Sequence, residues 1–552
     1  MSETKKDTAS AIDRRTFLRG AGAVAALAAG TGLAAPDLAD AAITSGTTAR
    51  VARREYRKRR RAALAYRVNC ARLALGRNSP LVVPTNNGEE RDYPYVASYS
   101  KALPHDALGH VDQRAYVGLL DAVATGDPII FESIPLGGAR KLTSPQAGLA
   151  FELEGPDSHA LLIRPAPRID GAENSAEMAE LYWMALARDV PFESYGSDPT
   201  IALACNDLSN FTDFRGPKLG GRVTPATVFR GTTTGDVVGP FVSQFLLRDF
   251  RYGSLTVSQR QQTVLPGIDY LTDFASWLGV QNGGPGPGLD ALDPTPRYIR
   301  SLRDLGQYVH VDALYEAYLN ACLILLELGA PFAGGLPPAS SATQDGFAEF
   351  GAPHVLSLVT EVATRALKVV WCQKWLVHRR LRPEEFGGRI HNFLTGAATY
   401  PIHSEILGST ALARVFSRHG TFLLPQQFPD GCPTHPAYAS GHATVAGACV
   451  TVLKAFFDTS FVIPDAIVAN ADGTALVPYT ASALTVGDEL NKVAANICTG
   501  RNAAGIHWRT DFSEGMALGE RVALGILQEQ KPGYNQDVTF TVRRFDGTTV
   551  TV

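Results

Sequence analysis

The sequence has no excess of charge of either sign. Its 51 lysines and arginines are balanced by 54 aspartates and glutamates, so the formal net charge is −3. Domains that bind nucleic acids are usually strongly basic, and this balance therefore gives no indication of a nucleic-acid partner. Any site for an anion must be built from a few cations brought together locally.

The sequence also lacks the spacings of the common metal sites. Its seven cysteines are an odd number, and none occurs in a CxxC pair or at the Cys/His spacing of a zinc site. No spacing supports a calcium site, and no internal repeat is present. The pairing of the cysteines in disulfides is left open.

No stretch reaches the ~18 uninterrupted apolar residues that a membrane-spanning helix requires, so no transmembrane span is predicted. The N-terminus instead has the order of a targeting segment: Arg14 and Arg15, a modest apolar stretch over 21–35, and the small residues Ala39-Asp40-Ala41. This order predicts a twin-arginine signal peptide over residues 1–41 and export to the periplasm or the exterior. The alternative is a disordered basic tail.

Helical periodicity dominates the rest of the chain. Apolar residues recur at helical spacing, or helices are otherwise indicated, over residues 53–75, 112–126, 174–189, 300–328, 354–380, 440–457, 481–499 and 506–528. A Gly/Pro-rich stretch over 283–296 marks a connection between two halves. Two short β-prone segments flank Asp546-Gly547 and predict a C-terminal hairpin. These patterns predict a mainly α protein with helices bundled around one or two cores.

Two cations at a helix end form the first candidate element of a site. Lys374 and Arg382 lie eight residues apart in KWLVHRRLRPEEFGG. Pro383 and the pair Gly387-Gly388 predict that Arg382 stands at the end of the helix over 354–380. Two such cations can converge on one anion, although basic helix ends are common for other reasons.

A Ser-Gly turn that opens a helix forms the second element, in HPAYASGHATVAGA. The N-terminus of a helix offers free N–H groups and a favourable field for anions, and Gly441 lets an oxyanion approach the backbone closely. Ser440 adds a hydroxyl donor, and His442 lies in the first turn. The alternative is a plain capping serine beside an incidental histidine.

The third element is a cation followed by a histidine and a carboxylate, in RNAAGIHWRTD. Arg501 stands six residues before His507, and Asp511 follows His507 by four residues, on one face of a helix. A carboxylate at this spacing can fix the tautomer of a histidine and raise its basicity. A surface His-Asp pair with no further role is the alternative. Taken together, the three elements describe a pocket for a tetrahedral oxyanion that could gain a fifth bond from a histidine nitrogen.

This set resembles the signature shared by the vanadium haloperoxidases and the type 2 phosphatidic-acid-phosphatase superfamily. Seven residues separate Lys374 from Arg382, as in the algal bromoperoxidase group and its bacterial relatives, whereas the phosphatases and fungal chloroperoxidases usually have six. The stretches ASYSKALPH, RDLGQYVHVD and YLNACLILLELGAP also resemble that group. The resemblance covers nearly all of the chain after residue 41. It implies an all-α fold of two packed four-helix bundles, with the site in the second.

The resemblance also implies a role for each motif residue. His507 would be the axial ligand to the vanadium of bound vanadate, with Asp511 behind it, and His442 would be the acid–base group. Lys374 would in addition polarise the bound peroxide. The equatorial oxygens of vanadate would be bound by Lys374, Arg382, Ser440, Gly441 and Arg501. The chain would then divide into the signal peptide 1–41, a helical half 42–290, a helical bundle 291–530 that carries the site, and a hairpin tail 531–552.

Two further residues bear on which halide is oxidised. Trp371 and His435 align with positions around the site that differ among subfamilies. The fungal chloroperoxidases resemble this chain at Trp371 but carry phenylalanine where His435 stands, whereas the algal bromoperoxidases carry histidine. We therefore expect bromide and iodide to be oxidised well and chloride poorly. His435 could hydrogen-bond His442, hold water or become protonated at low pH; alternatively it only packs beneath the Ser440 loop.

The expected reaction partners are hydrogen peroxide, a halide and an organic acceptor that the sequence does not identify. The family often forms homo-oligomers, whose number the sequence leaves open. An acid phosphatase or phosphotransferase with His507 as nucleophile is the alternative activity in the same pocket. A helical protein that only sequesters oxyanions is a further alternative, although it would not need His442.

Overall fold

The computed structural model describes residues 46–77, 83–288 and 291–552. The predicted signal peptide lies outside these ranges, and so does residue 290, at which the division between the two predicted halves was placed. That division remains a prediction. Across the described ranges, no helix is both long enough and apolar enough to cross a membrane.

Helices make up most of the described chain, which confirms the predicted mainly α class. The α-helices, numbered in chain order, are α1 (Gly46–Arg77), α2 (Glu89–Asp92), α3 (Gln113–Thr125), α4 (Pro128–Glu132), α5 (Ala172–Leu186), α6 (Pro199–Leu208), α7 (Phe274–Gln281), α8 (Leu302–Tyr308), α9 (Glu316–Glu327), α10 (Ala352–Cys372), α11 (Pro383–Leu394), α12 (Ser404–Leu407), α13 (Thr410–His419), α14 (Gly441–Phe456), α15 (Val486–Ala503) and α16 (Arg509–Gln530). Short 3-10 turns occur at Pro145–Leu149, Phe192–Ser194, Gln244–Leu246, Pro337–Ser340 and Lys531–Gly533, and a π-helical segment occurs at Gln373–His378. The described residues 46–69 belong to one unit, where the basic stretch of α1 is exposed, and the described residues from Cys70 onward belong to the other.

The strands of the described residues form three separate antiparallel hairpins, whereas only one was predicted. They are β1 (Phe250–Tyr252) with β2 (Leu255–Val257), β3 (Ile467–Ala469) with β4 (Leu476–Pro478), and β5 (Thr541–Arg543) with β6 (Thr549–Thr551). The predicted C-terminal hairpin is confirmed: Val542 pairs with Val550, and Gly547 in the turn adopts φ 84°. All three hairpins have strands of only three residues, too short to leave a clear alternating pattern. The turn residues Gly253-Ser254 and Asp472-Gly473 were the signals for the other two hairpins, and the prediction did not use them.

Four helices, α10, α14, α15 and α16, pack on one another as a bundle. Helix α14 lies at its centre and is buried along almost its whole length. In α10 the buried residues recur at helical spacing, from Val355 and Val359 through Val362 to Ala366, and this face packs on α14. Burial of these apolar helix faces stabilises the packing of the bundle.

Glycines fix the register between α14 and α16. A Cβ at Gly519 would come within 1.9 Å of the Thr444 carbonyl oxygen, and one at Gly447 within 2.1 Å of the Met516 carbonyl oxygen. The two backbones can approach this closely only because neither residue has a side chain. The contact runs parallel along both helices, so the N-termini of α14 and α16 lie at the same end of the bundle.

The prediction of one long helix over residues 300–328 is wrong. The structure has two helices there, α8 and α9, separated by residues 309–315. Val309 and Val311 are β-branched, and Asp312 favours caps and turns, so the break has a local cause. The apolar periodicity on either side masked it.

All seven cysteines are free thiols, and all but Cys70 are buried. In the core around the bundle, burial raises the pKa of the Cys372 thiol to about 11 and that of Cys322 to about 12. These thiols are therefore protonated packing groups at neutral pH.

Candidate active site

The parallel arrangement of α14 and α16 places two helix N-termini side by side. Ser440 caps α14: its Oγ accepts the N–H of Ala443 at 3.3 Å, and its own N–H donates to the Asp511 carbonyl oxygen at 3.0 Å. This bond ties the start of α14 to the first turn of α16. The positive ends of both helix dipoles therefore point into one buried region, which favours an anion there.

Lys374 enters this region from the π-helical segment that follows α10. Such segments inside or beside α-helices often occur at functional sites. Its side chain is fully buried, and Nζ donates to the carbonyl oxygens of Pro436 at 2.7 Å and Ala437 at 2.8 Å. An ammonium has three N–H donors, so the third remains for a ligand. Burial, reinforced by the nearby Arg382, holds the pKa of Lys374 well below its usual value.

Arg382 belongs to the helix after the one predicted. The α10 helix and its π-helical extension end at His378, Arg379 takes a left-handed conformation with φ 39°, and Arg382 is the N-cap of α11. Pro383 is the first residue of α11, where a proline is well accommodated. Gly388 lies inside that helix, against the ring of Trp277, rather than marking a helix end.

The Arg382 guanidinium is fully buried and lies between two histidines. Nη1 donates to His507 Nε2 at 3.0 Å and to the Ile506 carbonyl oxygen at 2.9 Å, while Nη2 donates to His435 Nδ1 at 2.9 Å. Because a guanidinium can only donate, both ring nitrogens accept. Arg382 therefore faces the unprotonated side of each imidazole.

Arg501, near the end of α15, is the third cation. Its side chain lies over the Phe428 ring at 5.7 Å, and Nη1 donates to the Val309 carbonyl oxygen at 2.7 Å. Among the described residues, its Nε is buried without a hydrogen-bond partner. Burial lowers the pKa of Arg501 to about 10, opposed by the nearby Asp312. A buried donor without a partner is costly, and an oxyanion in the pocket would supply one.

His507 and Asp511 contact each other as the spacing predicts, although His507 itself precedes α16. His507 Nδ1 donates to Asp511 Oδ2 at 2.7 Å, and Asp511 also accepts the N–H of Trp508 at 3.1 Å. The proton of the neutral ring is thereby fixed on Nδ1, which leaves the Nε2 lone pair directed at the cations. Burial and the charge of Arg382 hold the pKa of His507 well below its usual value.

His442 has a carboxylate partner that the sequence analysis missed. Its Nε2 donates to Asp312 Oδ1 at 3.1 Å, and only 15% of the histidine side chain and 7% of the aspartate side chain are exposed. Asp312 lies in the break between α8 and α9, which was predicted to be helical. A sequence signal for this break lies at the end of RDLGQYVHVD, where the β-branched Val309 and Val311 precede Asp312.

His442 is neutral at neutral pH in this setting. Burial lowers its pKa below the ordinary value, Asp312 opposes that change, and Arg501 adds to it. The Nε2–H donated to Asp312 leaves Nδ1 as the nitrogen able to accept a proton. His442 thus has the tautomer and orientation that a general base needs.

His435 contacts Arg382, and of the possibilities considered from the sequence, a hydrogen bond to His442 is not formed between these two described residues. Its ring packs against Trp371 with centroids 4.7 Å apart, and Trp371 is anchored by its Nε1–H, which donates to the Thr143 carbonyl oxygen at 3.1 Å. Burial, together with Arg382 and Lys374, holds the pKa of His435 well below its usual value. Protonation at mildly acid pH, considered from the sequence, is therefore disfavoured.

The structure thus brings together every residue of the three motifs. Three buried cations, a hydroxyl, the start of a helix and an imidazole nitrogen surround one buried region, here called the oxyanion pocket, with His442 beside it. A Cβ at Gly441 would come within 3.1 Å of the Trp371 ring, so a side chain at this position would press on that ring. This donor set fits a tetrahedral oxyanion such as vanadate, and the imidazole Nε2 is able to bond to its central atom.

Comparison with known proteins decides the family. Residues 418–532 match the model of the VCPO second helical-bundle domain. The vanadium-dependent bromoperoxidase of Corallina pilulifera is 39% identical over 591 residues, covering 90% of this chain and 98% of the relative. That of Ascophyllum nodosum is 37% identical over 510 residues, covering 88% and 91%. The chain belongs to the vanadium-dependent bromoperoxidase family.

A solved structure supports the same membership. The second vanadate-dependent bromoperoxidase of Ascophyllum nodosum, a homohexamer, superimposes with a TM-score of 0.86 at 31% identity, with 90% of each chain covered. This agrees with the predicted helical-bundle fold. Because the relatives are bromoperoxidases over nearly their full length, the phosphatase alternative is not favoured.

Proposed function

We propose that this bromoperoxidase-family chain binds vanadate and uses hydrogen peroxide to oxidise bromide to hypobromous acid. The observation that carries the proposal is the pocket itself: the lone pair of His507 Nε2 is fixed by Asp511 and lies among three buried cations. The relatives are enzymes named for vanadium and bromide. Vanadate, when bound, supplies a Lewis-acidic oxyanion that activates peroxide without a change in its own oxidation state.

The residues that would hold vanadate bind either the vanadium itself or its oxygens. His507 would bond to vanadium through Nε2, and the oxygens would be bound by Lys374, Arg382, Ser440, Gly441 and Arg501. Arginine suits this work because its planar fork presents two N–H donors to two oxygens at once. Phosphate has the same tetrahedral shape and is also an anion, so we expect it to compete for the pocket.

His442 would take the proton of hydrogen peroxide as the peroxide enters the site. Its Nδ1 is the accepting nitrogen, since Nε2–H is held by Asp312 at 3.1 Å. Asp312 would stabilise the imidazolium that forms and fix the ring in place. The proton could later pass from His442 to the departing hypobromite oxygen.

Lys374 would act on the peroxide as an electrostatic group. Two of its N–H bonds are fixed by carbonyl oxygens, so the third has a defined direction. In a buried site a preorganised donor stabilises developing negative charge more strongly than in water. An anion in the pocket would favour the charged form of Lys374.

We expect bromide and iodide to be oxidised in preference to chloride. His435 accepts a hydrogen bond from Arg382 and packs at a tilt against Trp371, so it adds a polar group to one wall of the pocket. Through Arg382 it shares the positive charge that would otherwise act on the oxyanion alone. A less activated peroxide suffices for bromide, which is easier to oxidise than chloride.

One comparison tests the activity. Purified protein is assayed for bromide oxidation by hydrogen peroxide and for phosphate-ester hydrolysis, each with and without added vanadate. We expect vanadate-dependent bromide oxidation and, in the absence of vanadate, little hydrolysis. Efficient hydrolysis that vanadate inhibits would identify a phosphatase, and tight vanadate binding without any halide turnover would identify a sequestering protein.

The proposal also includes export of the protein and its assembly into a homo-oligomer. The order of residues 1–41 supports export by the twin-arginine route to the periplasm or exterior. The homohexameric neighbour supports a homo-oligomer.

A further inference from the structure

A buried chain of charged groups lies behind His507, on the side away from the oxyanion pocket. Asp511, which is fully buried, is shared between two donors: His507 Nδ1 at 2.7 Å on Oδ2 and Arg380 Nη1 at 3.1 Å on Oδ1. Arg380 lies within the first sequence motif, between Lys374 and Arg382, but the motif by itself predicts no role for it.

Arg380 connects this carboxylate to the N-terminal half of the chain. Its Nη2 donates to Glu177 Oε2 at 2.7 Å and to Asn174 Oδ1 at 2.9 Å, both on α5. The guanidinium also lies over the Trp508 ring at 4.6 Å. Carboxylates on two sides and a ring against its face hold Arg380 in one orientation.

Glu177 in turn holds the start of α16. Its Oε1 accepts the N–H of Thr510 at 2.5 Å and also the Thr510 hydroxyl. Thr510 is next to Asp511 and lies in the first turn of α16. A single buried carboxylate on α5 therefore fixes both Arg380 and the backbone that carries the partner of His507.

We propose that Arg380 and Glu177 are positioning residues that tune the bond between His507 and vanadium. By neutralising Arg380, Glu177 leaves the charge of Asp511 available to the Nδ1–H of His507. That hydrogen bond increases the electron-donating power of Nε2, the atom that would bond to vanadium. The inference rests on the proposed function and identifies what sets its affinity for vanadate.

Vanadate and phosphate allow this role to be separated from simple structural support. Both anions would be held by the same cations, but only vanadate would gain a bond from His507 Nε2. Groups that orient a ligating histidine typically change metal affinity by about 10–100-fold when removed. Weakening the donor power of His507 should therefore affect vanadate selectively, whereas distortion of the pocket should affect both anions.

The test uses Glu177→Gln, which keeps the size of the side chain and removes its charge. Glu180→Gln is the matched control, because Glu180 lies one turn further along α5 and forms a buried ion pair with Arg509 at 2.7 Å. Dissociation constants for vanadate and for inorganic phosphate are measured by calorimetry on the full-length vanadate-free protein and each variant. The thermal unfolding midpoint of each protein is recorded alongside.

We expect Glu177→Gln to raise the dissociation constant for vanadate by about 10-fold and to leave that for phosphate unchanged. Arg380→Lys keeps a positive charge but cannot bridge two carboxylates, so it should also raise the dissociation constant for vanadate and not that for phosphate. It replaces Glu177→Gln in the test if Glu177→Gln does not fold. Glu180→Gln should change neither constant. Equal weakening of both anions, no change for either, or the same selective loss in the control would overturn the inference. A wild-type protein that binds phosphate but not vanadate would instead overturn the proposed function, and this inference with it.

Discussion

Asp312→Asn removes the charge that faces His442 while keeping the size of the side chain. A hydrogen bond to a charged group stabilises it by ~1.5–3 kcal/mol, and one pKa unit corresponds to about 1.4 kcal/mol. The aspartate favours the imidazolium form, so its removal should lower the pKa of His442 by about 1–2 units. A base with a lower pKa stays neutral to lower pH, and the acid limb of the bromide-oxidation profile should therefore move down by that amount.

The assay is the pH dependence of monobromodimedone bromination at saturating vanadate, peroxide and bromide. We expect kcat to fall at the optimum, by less than the ~10²–10⁴-fold that a whole general base contributes, because His442 is still present but less firmly held. Glu316→Gln is the control: Glu316 accepts the N–H of Ala313 in the same break at 3.2 Å, and its loss should leave the acid limb in place. A reduced rate with an unmoved acid limb, or a limb moved to higher pH, would refute the assignment of Asp312.

Three further predictions concern proton transfer, halide choice and export. His442→Ala should lower the rate of bromide oxidation far more than it weakens vanadate binding measured by calorimetry; equal losses would make His442 a binding or structural residue. His435→Phe should raise the ratio of chloride to bromide oxidation rates at saturating vanadate, because Arg382 loses an acceptor and acts more strongly on the oxyanion; a changed stability with an unchanged ratio would assign His435 to packing alone. Replacing Arg14 and Arg15 with lysine should leave the protein in the cytoplasm on cell fractionation, and unchanged export would contradict the twin-arginine interpretation.

Contacts between residues that are close in the sequence could be predicted from it. Ser440 as a helix cap and the bond between His507 and Asp511 depend on residues within four positions of one another, where helix geometry fixes which side chains meet. The C-terminal hairpin followed from Asp546-Gly547 for the same reason. Convergence of the three motifs could be expected only from their combination and the family resemblance.

Contacts between distant segments were not predictable in this way. Arg501 donates to Val309, and His442 to Asp312, across separations of 192 and 130 residues. Both partners lie in a helix break that strong apolar periodicity on each side concealed. Arg382 was assigned to the wrong helix because Arg379, the residue that ends the first one, adopts a left-handed conformation that an arginine rarely takes.

The most direct test of the whole account is a vanadate titration of the purified vanadate-free protein and of His507→Ala, followed by monobromodimedone bromination with peroxide and bromide. We predict that wild-type activity rises from near zero to a plateau at one vanadate per chain. The variant should stay inactive at every vanadate concentration, because alanine offers no nitrogen to bond to vanadium in place of His507 Nε2, whose ring is oriented by Asp511. Full bromination by His507→Ala with vanadate, or wild-type bromination that is independent of vanadate, would contradict the account.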